Sequence, residues 1–316
     1  MKIKHCFGVA LASALAFLLP TGVLNAGLAV KETGKSDEWT ITFNDKPVMV
    51  YAFSKEKSKP YVKELYTLAG NNILRDSPPD HVHHRGLMYA IKVNGTNFWE
   101  EQTGHGIERV IRTSKPILGT NTMGIPRAII QQTIHWILPS DTLLADTTSA
   151  ALLVEQRTLT LSVNETTREV ALQWKSAFKV GKKDVVLEGA NYHGLGMRFQ
   201  QPLDAVAEHF FSGGKPDLSG TKQDVSQHKW EAVHFDGPGH AATLALFGHP
   251  SNAGGDSYYF SMHSPFAYLS ATQKLESTPL TYPSGARFQL NYLITLYPEL
   301  KTAEALDQCA QEWSKP

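Results

Sequence analysis

The sequence predicts an all-β fold, a large antiparallel β-sandwich with a short C-terminal helix. Apolar and polar residues alternate over several segments, as they do on a strand with one buried face. Turns that contain Gly and Pro separate these segments at short intervals. A run of alternating strands and helices, which would indicate a parallel sheet, is not visible in the sequence. Together these observations favour a sandwich of antiparallel sheets.

The clearest alternation forms a predicted hairpin in the middle of the chain. Apolar residues occupy every second position in Leu159–Val163 and in Val170–Trp174, and the polar stretch 164–168 between them has hairpin length. The same pattern returns in Phe288–Leu296. Further strands are predicted over Trp39–Phe43, Val48–Phe53, Leu87–Val93, Ile129–Leu138 and Thr243–Phe247.

One helix is predicted, from about Thr302 to Trp313. Thr302 is suited to cap its first turn, because a threonine hydroxyl can accept a hydrogen bond from a free backbone amide there. An apolar face at helical spacing is formed by Leu306, Cys309, Ala310 and Trp313. We expect this face to pack against the sheets.

The first 26 residues resemble a secretory signal peptide. Lys2 and Lys4 precede an apolar run from Phe7 to Leu19, and the small residue Ala26 marks the expected cleavage point. The apolar run is short for a membrane span. We therefore expect a periplasmic or secreted protein in which residues 27–316 form one β-sandwich domain, with no membrane span after cleavage.

Charge and cysteine content narrow the class of protein. Without Lys2 and Lys4, 28 basic residues stand against 30 acidic ones, a formal charge of −2. This balance argues against a nucleic-acid partner, which normally calls for a basic surface. The cleaved chain keeps only Cys309, so an internal disulfide is impossible and its core alone must stabilise the fold.

The segment from Asp80 to Gly86 is the strongest sign of a functional site. It holds His81, His83, His84 and Arg85 within seven residues. Histidine exchanges protons near neutral pH and, when neutral, is the commonest metal ligand. In an extended strand His81 and His83 would share one face and His84 would lie on the other.

Three roles remain open for these histidines. They can bind a divalent metal through His81 and His83, although this needs a distant third ligand such as His193, His249 or His263. They can transfer protons or bind substrate without a metal. They can also simply tie down a loop through hydrogen bonds.

Three other segments contain groups suited to bind a small molecule. The first combines Tyr192, His193 and Arg198 with Gly194 and Gly196, two glycines that let a ligand or strand approach the backbone. A strand end carries His249 and Asn252 in the second. The third has an Asn94-Gly95 turn followed by Phe98 and Trp99, which can pack in the core or against a sugar ring, and by the acid/base candidates Glu100 and Glu101.

These motifs together resemble the PmoA-like family. The matching segments are Lys59-Pro60-Tyr61, Asp80 to Gly86, Asn94-Gly95 with Phe98-Trp99, Gly194 to Arg198, and Gly248-His249-Pro250 with Asn252. They extend from about residue 40 to 298, and His83-His84-Arg85-Gly86 is the most specific of them. The family is named after a subunit of particulate methane monooxygenase, an integral membrane protein. That activity is not carried over, because this chain has no spanning segment after its signal.

The resemblance implies a large β-sandwich of the type shared with galactose mutarotase and several polysaccharide lyases, and a link to carbohydrate breakdown. We expect an enzyme that acts on a glycoside or modified sugar, small or oligomeric, by hydrolysis, β-elimination or epimerisation. Expected catalytic residues are His83, His84 and His193. Expected substrate contacts are Arg85, Trp99, Tyr192, Arg198, His249 and Asn252. The alternatives are a carbohydrate-binding protein without activity and a metal enzyme with histidine ligands.

Overall fold

The alternating segments form antiparallel sheets in a computed structural model of the chain. The structure describes residues 27–144, 146–237 and 241–315. The predicted signal peptide lies outside these residues. No helix in the described part of the chain is long and apolar enough to cross a membrane.

The first half of the described chain holds strands β1 Leu28–Lys31, β2 Glu38–Phe43, β3 Lys46–Ala52, β4 Tyr61–Leu65, β5 Leu87–Ala90, β6 Lys92–Val93, β7 Thr96–Asn97, β8 Ile107–Thr113, β9 Ile117–Thr120, β10 Pro126–Ile137 and β11 Leu153–Asn164. The second half holds β12 Glu169–Val180, β13 Val185–Glu188, β14 Gly194–Arg198, α1 Gln201–Asp204, β15 Ala207–Phe211, β16 Gln223–Gln227, β17 Trp230–Phe235, β18 Ala242–Gly248, β19 Tyr258–Met262, β20 Tyr268–Thr272, β21 Leu280–Tyr282, β22 Arg287–Tyr297 and α2 Ala303–Trp313.

The strands build two large sheets and one small one. The first sheet has the order β1-β2-β3-β4-β5-β14-β20-β19-β16. The second runs β15-β17-β18-β22-β12-β11-β10-β8, with β9 also paired to β10. The small third sheet runs β21-β13-β6-β7. One hydrophobic core contains residues from all three sheets, and the predicted all-β sandwich is confirmed.

The predicted central hairpin shows why the chain folds in this way. Leu159 lies opposite Trp174, and Leu161 lies opposite Leu172, in the β11–β12 ladder. All four side chains are buried, whereas the alternate residues lie nearer to solvent. Each such burial contributes about 1.5–3 kcal/mol. Because side chains alternate with a period of two, a slip of one residue would expose the whole apolar set.

The predicted C-terminal helix is also confirmed. It spans Ala303–Trp313, and the hydroxyl of Thr302 accepts a hydrogen bond from the amide of Ala305 at 3.3 Å. Leu306 and Ala310 are buried in a second apolar cluster with residues of β17 and β18. The helix therefore covers part of the second sheet.

The segment Leu87–Val93 differs from its prediction as one strand. It divides into β5, in the first sheet, and β6, in the third sheet. Both halves are largely buried, so their hydropathy gives no sign of the break. The break matters because β6 and β7 carry the chain away from the first sheet and then deliver residues 98–101 back to it.

A buried cluster of titratable side chains links the second sheet to the chain just before β4. Arg157 pairs with Glu155 at 2.7 Å and with Glu108 at 3.1 Å, and all three side chains are fully buried. Arg157 also donates to the carbonyl oxygen of Pro60 at 3.1 Å. Burial raises the pKa of Glu108 to about 8, so this residue is neutral at pH 7 and the Arg157–Glu155 pair carries the buried charges. The contact with Pro60 fixes the backbone next to Lys59. Lys59 in turn pairs with Glu101 beside the candidate site.

Candidate functional site

The histidine run lies in a loop of successive turns and not in an extended strand. The amide of His81 donates to the carbonyl of Pro78 at 3.0 Å, and the amide of His84 donates to the carbonyl of His81 at 2.9 Å. The alternation of an extended strand therefore does not apply here. The turns bring the three rings together, with 4.7 Å between the centres of His81 and His84 and also between those of His83 and His84.

Arg85 anchors this loop. Its guanidinium forms a bidentate ion pair with Glu101. Nε donates to Oε1 at 3.0 Å, and Nη2 donates to Oε2. The buried ammonium of Lys59 lies 3.2 Å from the same carboxylate. Burial opposes ionisation, but Arg85 and Lys59 lower the pKa of Glu101 to about 2. The expected substrate contact through Arg85 is not supported, because its guanidinium is engaged by the protein.

The loop ends where the backbone passes very close to β4. Gly86 has a φ of +61°, and a Cβ at this position would lie 2.4 Å from the carbonyl oxygen of Val62. A glycine is therefore required both by its conformation and by the available space. This close passage aligns β5 with β4, where Leu87 pairs with Val62, and so fixes the backbone that follows His84 and Arg85.

The histidine loop forms one wall of a cleft of about 370 Å³, called here the histidine cleft. It is lined by His81, His83, His84, Glu100, Gln102, Tyr192, Gln223, Phe260, Met262, Pro265, Phe266 and Tyr268. Ser261 donates to Glu231 of β17 and so faces the second sheet. Because side chains alternate along β19, Phe260 and Met262 face away from the second sheet. The cleft thus lies on the outer face of the first sheet.

Two of the cleft histidines are held neutral. Burial lowers the pKa of His84 to about 2, and the neighbouring rings of His83 and His81 add to the effect. The pKa of His83 is lowered as well, chiefly by burial and then by the positive charge of Lys59. A neutral imidazole can accept a proton at one nitrogen and donate a hydrogen bond from the other.

Glu100 is the carboxylate that lines the cleft. Its Oε1 accepts a hydrogen bond from the phenol of Tyr192 at 2.6 Å and lies 3.4 Å from Nε2 of His193, while Oε2 accepts from the amide of Asn97. Burial would raise the pKa of Glu100, but hydrogen bonds from His193, Tyr192 and Asn97 hold it well below its usual value. Glu100 is therefore ionised, and both of its oxygens are engaged.

His193 and Trp99 lie behind this carboxylate. The two rings stack with their centres 5.1 Å apart, and both side chains are buried. Neither belongs to the lining of the cleft. The predicted stacking of Trp99 on a sugar is not supported, since the indole is part of the core. His193 contacts Glu100 and reaches the cleft only through that residue.

Two buried polar atoms of the cleft wall have no hydrogen-bond partner in the described part of the chain. They are Nδ1 of His84 and the hydroxyl of Tyr268. Both residues are more than nine-tenths buried, and both line the cleft. An unsatisfied buried polar atom costs about 1–3 kcal/mol. Such atoms at the wall of a cleft are suited to meet polar groups of a ligand.

The structure does not bring His249 and Asn252 to this cleft. His249 lies 2.7 Å from the hydroxyl of Ser251, and its ring packs against Trp313. Asn252 exchanges two hydrogen bonds with the backbone of Asn291 in β22. Both residues therefore fix a turn beside the second sheet, and their predicted role as substrate contacts is not supported.

The metal hypothesis gains no ligand set from the geometry. No group of three or more His, Cys, Asp or Glu side chains within residues 27–144, 146–237 and 241–315 is arranged to hold a metal ion. Nδ1 of His81 instead lies 3.1 Å from Oδ2 of Asp80. This contact orients the ring and leaves its other nitrogen as the free one.

A larger cleft of about 710 Å³ is lined mostly by charged and polar side chains, including Lys55, Lys57, Glu101, His105 and Arg109. It has no tryptophan, tyrosine or phenylalanine in its described lining. Aromatic and titratable side chains converge instead in the histidine cleft, which is the candidate functional site.

The aromatic wall of the cleft was missed by sequence reasoning. Phe260 and Met262 alternate on β19, and Tyr268 pairs with Met262 across the β19–β20 ladder. This segment was not among the predicted strands, because it does not alternate strictly between apolar and polar residues. Nothing in the sequence indicated that this wall would adjoin a histidine loop about 180 residues earlier in the chain.

The fold and the cleft define this chain as an all-β protein with a histidine-lined cleft on the outer face of one sheet. It belongs to DUF6807, a family of unknown function, whose model matches residues 38–311. The comparison with curated proteins finds no match. The resemblance to the PmoA-like family remains a prediction.

The fold is similar to domains of larger solved proteins. A GH36 α-galactosidase from Geobacillus stearothermophilus shares 10% identity at a TM-score of 0.49, over 86% of this chain and 41% of its own. The galactosidase domain of an α-galactosidase–sucrose kinase shares 9% at 0.48, over 86% and 42%. A family 97 glycoside hydrolase from Pseudoalteromonas sp. strain K8 shares 7% at 0.41, over 86% and 34%. The chain thus spans about two fifths or less of the length of these proteins. The similarity concerns the fold alone.

Proposed function

We propose that this protein is a carbohydrate-active enzyme that binds a sugar in the histidine cleft and catalyses its epimerisation. The observation that carries the proposal is the lining itself, in which three histidines face aromatic side chains. Aromatic faces pack well against the apolar C–H faces of a sugar, and the polar atoms between them can bind its hydroxyls. The unpartnered atoms of His84 and Tyr268 supply two such contacts.

The lining favours epimerisation over the other two reactions. Hydrolysis of a glycoside ordinarily uses two carboxyl groups on either side of the bond. Among the described residues only Glu100 lines the cleft with a carboxylate, and both of its oxygens are engaged. β-Elimination next to a carboxylate calls for a cation to neutralise that charge, and no described lysine or arginine lines the cleft.

Epimerisation at the anomeric carbon needs only a base and an acid. In our proposal His83, neutral and half-buried, removes the proton of the anomeric hydroxyl. His81, oriented by Asp80, gives a proton to the ring oxygen as the ring opens. The reverse transfers close the ring on the other face of the carbonyl. A carboxylate oxygen can accept more than one hydrogen bond, so Glu100 can still accept one from a sugar hydroxyl while it remains bound to Tyr192.

Saturation-transfer NMR between the α and β anomers of glucose, galactose and mannose tests this proposal. We expect the protein to accelerate exchange of at least one of them. The His83→Ala variant should lose about 10²-fold or more in rate, the usual contribution of a positioned acid or base. The matched control is His249→Ala, which removes a histidine outside the cleft and should leave the rate unchanged.

Three results would contradict the proposal. His83→Ala could keep the wild-type rate, or chromogenic glycosides could be hydrolysed at the same cleft. Saturable sugar binding without any turnover would instead indicate a carbohydrate-binding protein.

We further propose that the protein is exported and acts in the periplasm or outside the cell. The basic and apolar pattern of residues 1–26 supports this location. N-terminal sequencing of the protein from its native host should find a chain that begins at Gly27. A protein that keeps Met1 in the cytoplasmic fraction would contradict export.

A further inference from the structure

Arg198 lies directly beneath the floor of the histidine cleft. Its guanidinium carbon is 3.3 Å from the centre of the Phe266 ring, and Nη2 lies 3.3 Å from Oδ2 of Asp80. Nε and Nη1 are buried and have no hydrogen-bond partner among the described residues. The whole side chain is almost completely buried. A cation with two unused donors is therefore kept next to the cleft without lining it.

Phe266 separates this cation from the cleft. The ring lines the cleft and makes edge contacts with His81 and His84, at 4.9 and 5.6 Å between ring centres. On the other side it covers the guanidinium of Arg198. One face of the Phe266 ring is therefore available to a ligand in the cleft. The other face covers the positive charge of Arg198.

Two other cations near the cleft, Arg85 and Lys59, are occupied. Arg85 is held by Glu101, and Lys59 is held by the carbonyl of Trp99 at 2.9 Å and by Glu101. Arg198, in contrast, keeps two donor nitrogens that no described residue uses.

We propose that Phe266 determines which sugars enter the cleft, by screening Arg198 so that uncharged sugars bind and sugar carboxylates do not. This inference rests on the proposed function, because it assumes that the cleft takes a sugar. An anionic sugar would meet Glu100, which is ionised, without reaching a cation in return. An uncharged sugar would meet the aromatic wall and the polar atoms of His84 and Tyr268 at no such cost.

The experiment compares each hexose with its uronic acid. The probes are glucose against glucuronate and galactose against galacturonate, titrated into wild type, Phe266→Ala and Phe266→Leu by calorimetry. Wild type should bind a hexose and show no measurable binding of its uronate. Phe266→Ala should gain about tenfold or more in uronate affinity relative to the hexose, since a charge-assisted hydrogen bond to arginine becomes available. Phe266→Leu removes the ring over the guanidinium but leaves part of the apolar cover, so it should show a smaller gain in the same direction, and it serves if the alanine variant folds poorly.

The double variant Phe266→Ala/Arg198→Gln is the control that assigns the gain to the guanidinium. It should lose the uronate preference and return to the wild-type order. A gain that survives in this double variant would overturn the proposal, as would a wild type that prefers the uronate.

A chemical label gives a readout that does not depend on any sugar. Phenylglyoxal reacts with accessible guanidinium groups, and peptide mass spectrometry reports each arginine separately. Arg198 should stay unlabelled in wild type and should react in Phe266→Ala at a rate near that of Arg168, whose side chain is about half exposed. Equal labelling of Arg198 in both proteins would overturn the screening role.

The two proposals fail in different ways. If wild type binds none of the four probes and turns over no sugar, the proposed function fails, and the label alone then decides whether Phe266 covers Arg198. If wild type binds a hexose but Phe266→Ala exposes Arg198 without gaining uronate affinity, the proposed function stands and the specificity proposal is wrong.

Discussion

The phenol of Tyr192 donates a 2.6 Å hydrogen bond to Oε1 of Glu100 and so joins two sheets at the cleft. Tyr192 leads into β14 of the first sheet, whereas Glu100 follows β7 of the third sheet. The side chain of Asn97 accepts hydrogen bonds from the amides of Trp99 and Glu100, at 2.8 and 3.2 Å, and fixes the turn that presents the carboxylate. A contact between segments 92 residues apart thus sets the position of the only carboxylate in the described lining.

Loss of the Tyr192 hydroxyl should affect catalysis more than folding. In Tyr192→Phe, Glu100 loses one donor but keeps Asn97 and His193, so we expect destabilisation of about 1.5–3 kcal/mol at most, the value of a hydrogen bond to a charged group. The rate of sugar epimerisation should fall about tenfold or more, because Oε1 then keeps only its 3.4 Å contact with His193 and the carboxylate can shift. Tyr282→Phe, in the third sheet away from the cleft, is the matched control. Equal rates in the two variants would show that the hydroxyl of Tyr192 is dispensable.

His84 should make stability depend on pH above the range in which carboxyl groups titrate. Its pKa is about 2 in the folded protein and about 6.5 when unfolded, so the unfolded chain takes up the proton first as the pH falls. Stability is then lost from pH 6.5 downward, at up to about 1.4 kcal/mol per pH unit. Between pH 6.5 and 5 this amounts to about 2 kcal/mol. The His84→Asn variant should show a flatter curve of unfolding free energy over that interval, measured by urea titration. Parallel curves for the two proteins would contradict the assignment.

Glu101 should contribute to stability in a lower pH window. Because Arg85 and Lys59 hold its pKa at about 2, against about 4.5 unfolded, this carboxylate stabilises the fold above pH 4.5 and loses its effect as the pH falls toward 2. The shift corresponds to roughly 3 kcal/mol. We expect Glu101→Gln to unfold more easily at pH 7 but to approach wild type near pH 2, as followed by circular dichroism. A constant difference at all pH values would mean that lost packing, and not charge, is responsible.

A side chain larger than hydrogen at Gly196 should disturb the wall of the cleft. A Cβ there would lie 2.0 Å from the hydroxyl of Tyr268 and 2.6 Å from the indole of Trp99. Both rings are buried, so Gly196→Ala should cost about 1–3 kcal/mol through overpacking and should weaken sugar binding. Gly119→Ala is the control, because a Cβ at that position meets nothing within 4 Å. Thermal unfolding and calorimetric sugar titration of both variants check this expectation.

The sequence carried enough information to predict the fold class, the β11–β12 hairpin and helix α2. These features depend on local patterns, namely a period of two, a period of 3.6 and the cap at Thr302. It also showed three histidines close together in one segment, but the turns that bring their rings into contact were found only in the structure. The break between β5 and β6 could not be predicted, since both halves are buried and a change of sheet leaves no trace in hydropathy.

The sequence by itself determined which groups are available: histidines, arginines, a pair of glutamates and several aromatic residues. Only the tertiary structure decided which of them meet. Glu101 engages Arg85, Asp80 engages Arg198, and Phe266 lies between that arginine and the cleft. The physical reason is that burial, charge pairing and ring stacking depend on distances between strands that are far apart in the chain. Tertiary packing therefore places Arg85 and Arg198 in ion pairs outside the lining of the cleft. It leaves the neutral histidines His83 and His84 at the wall.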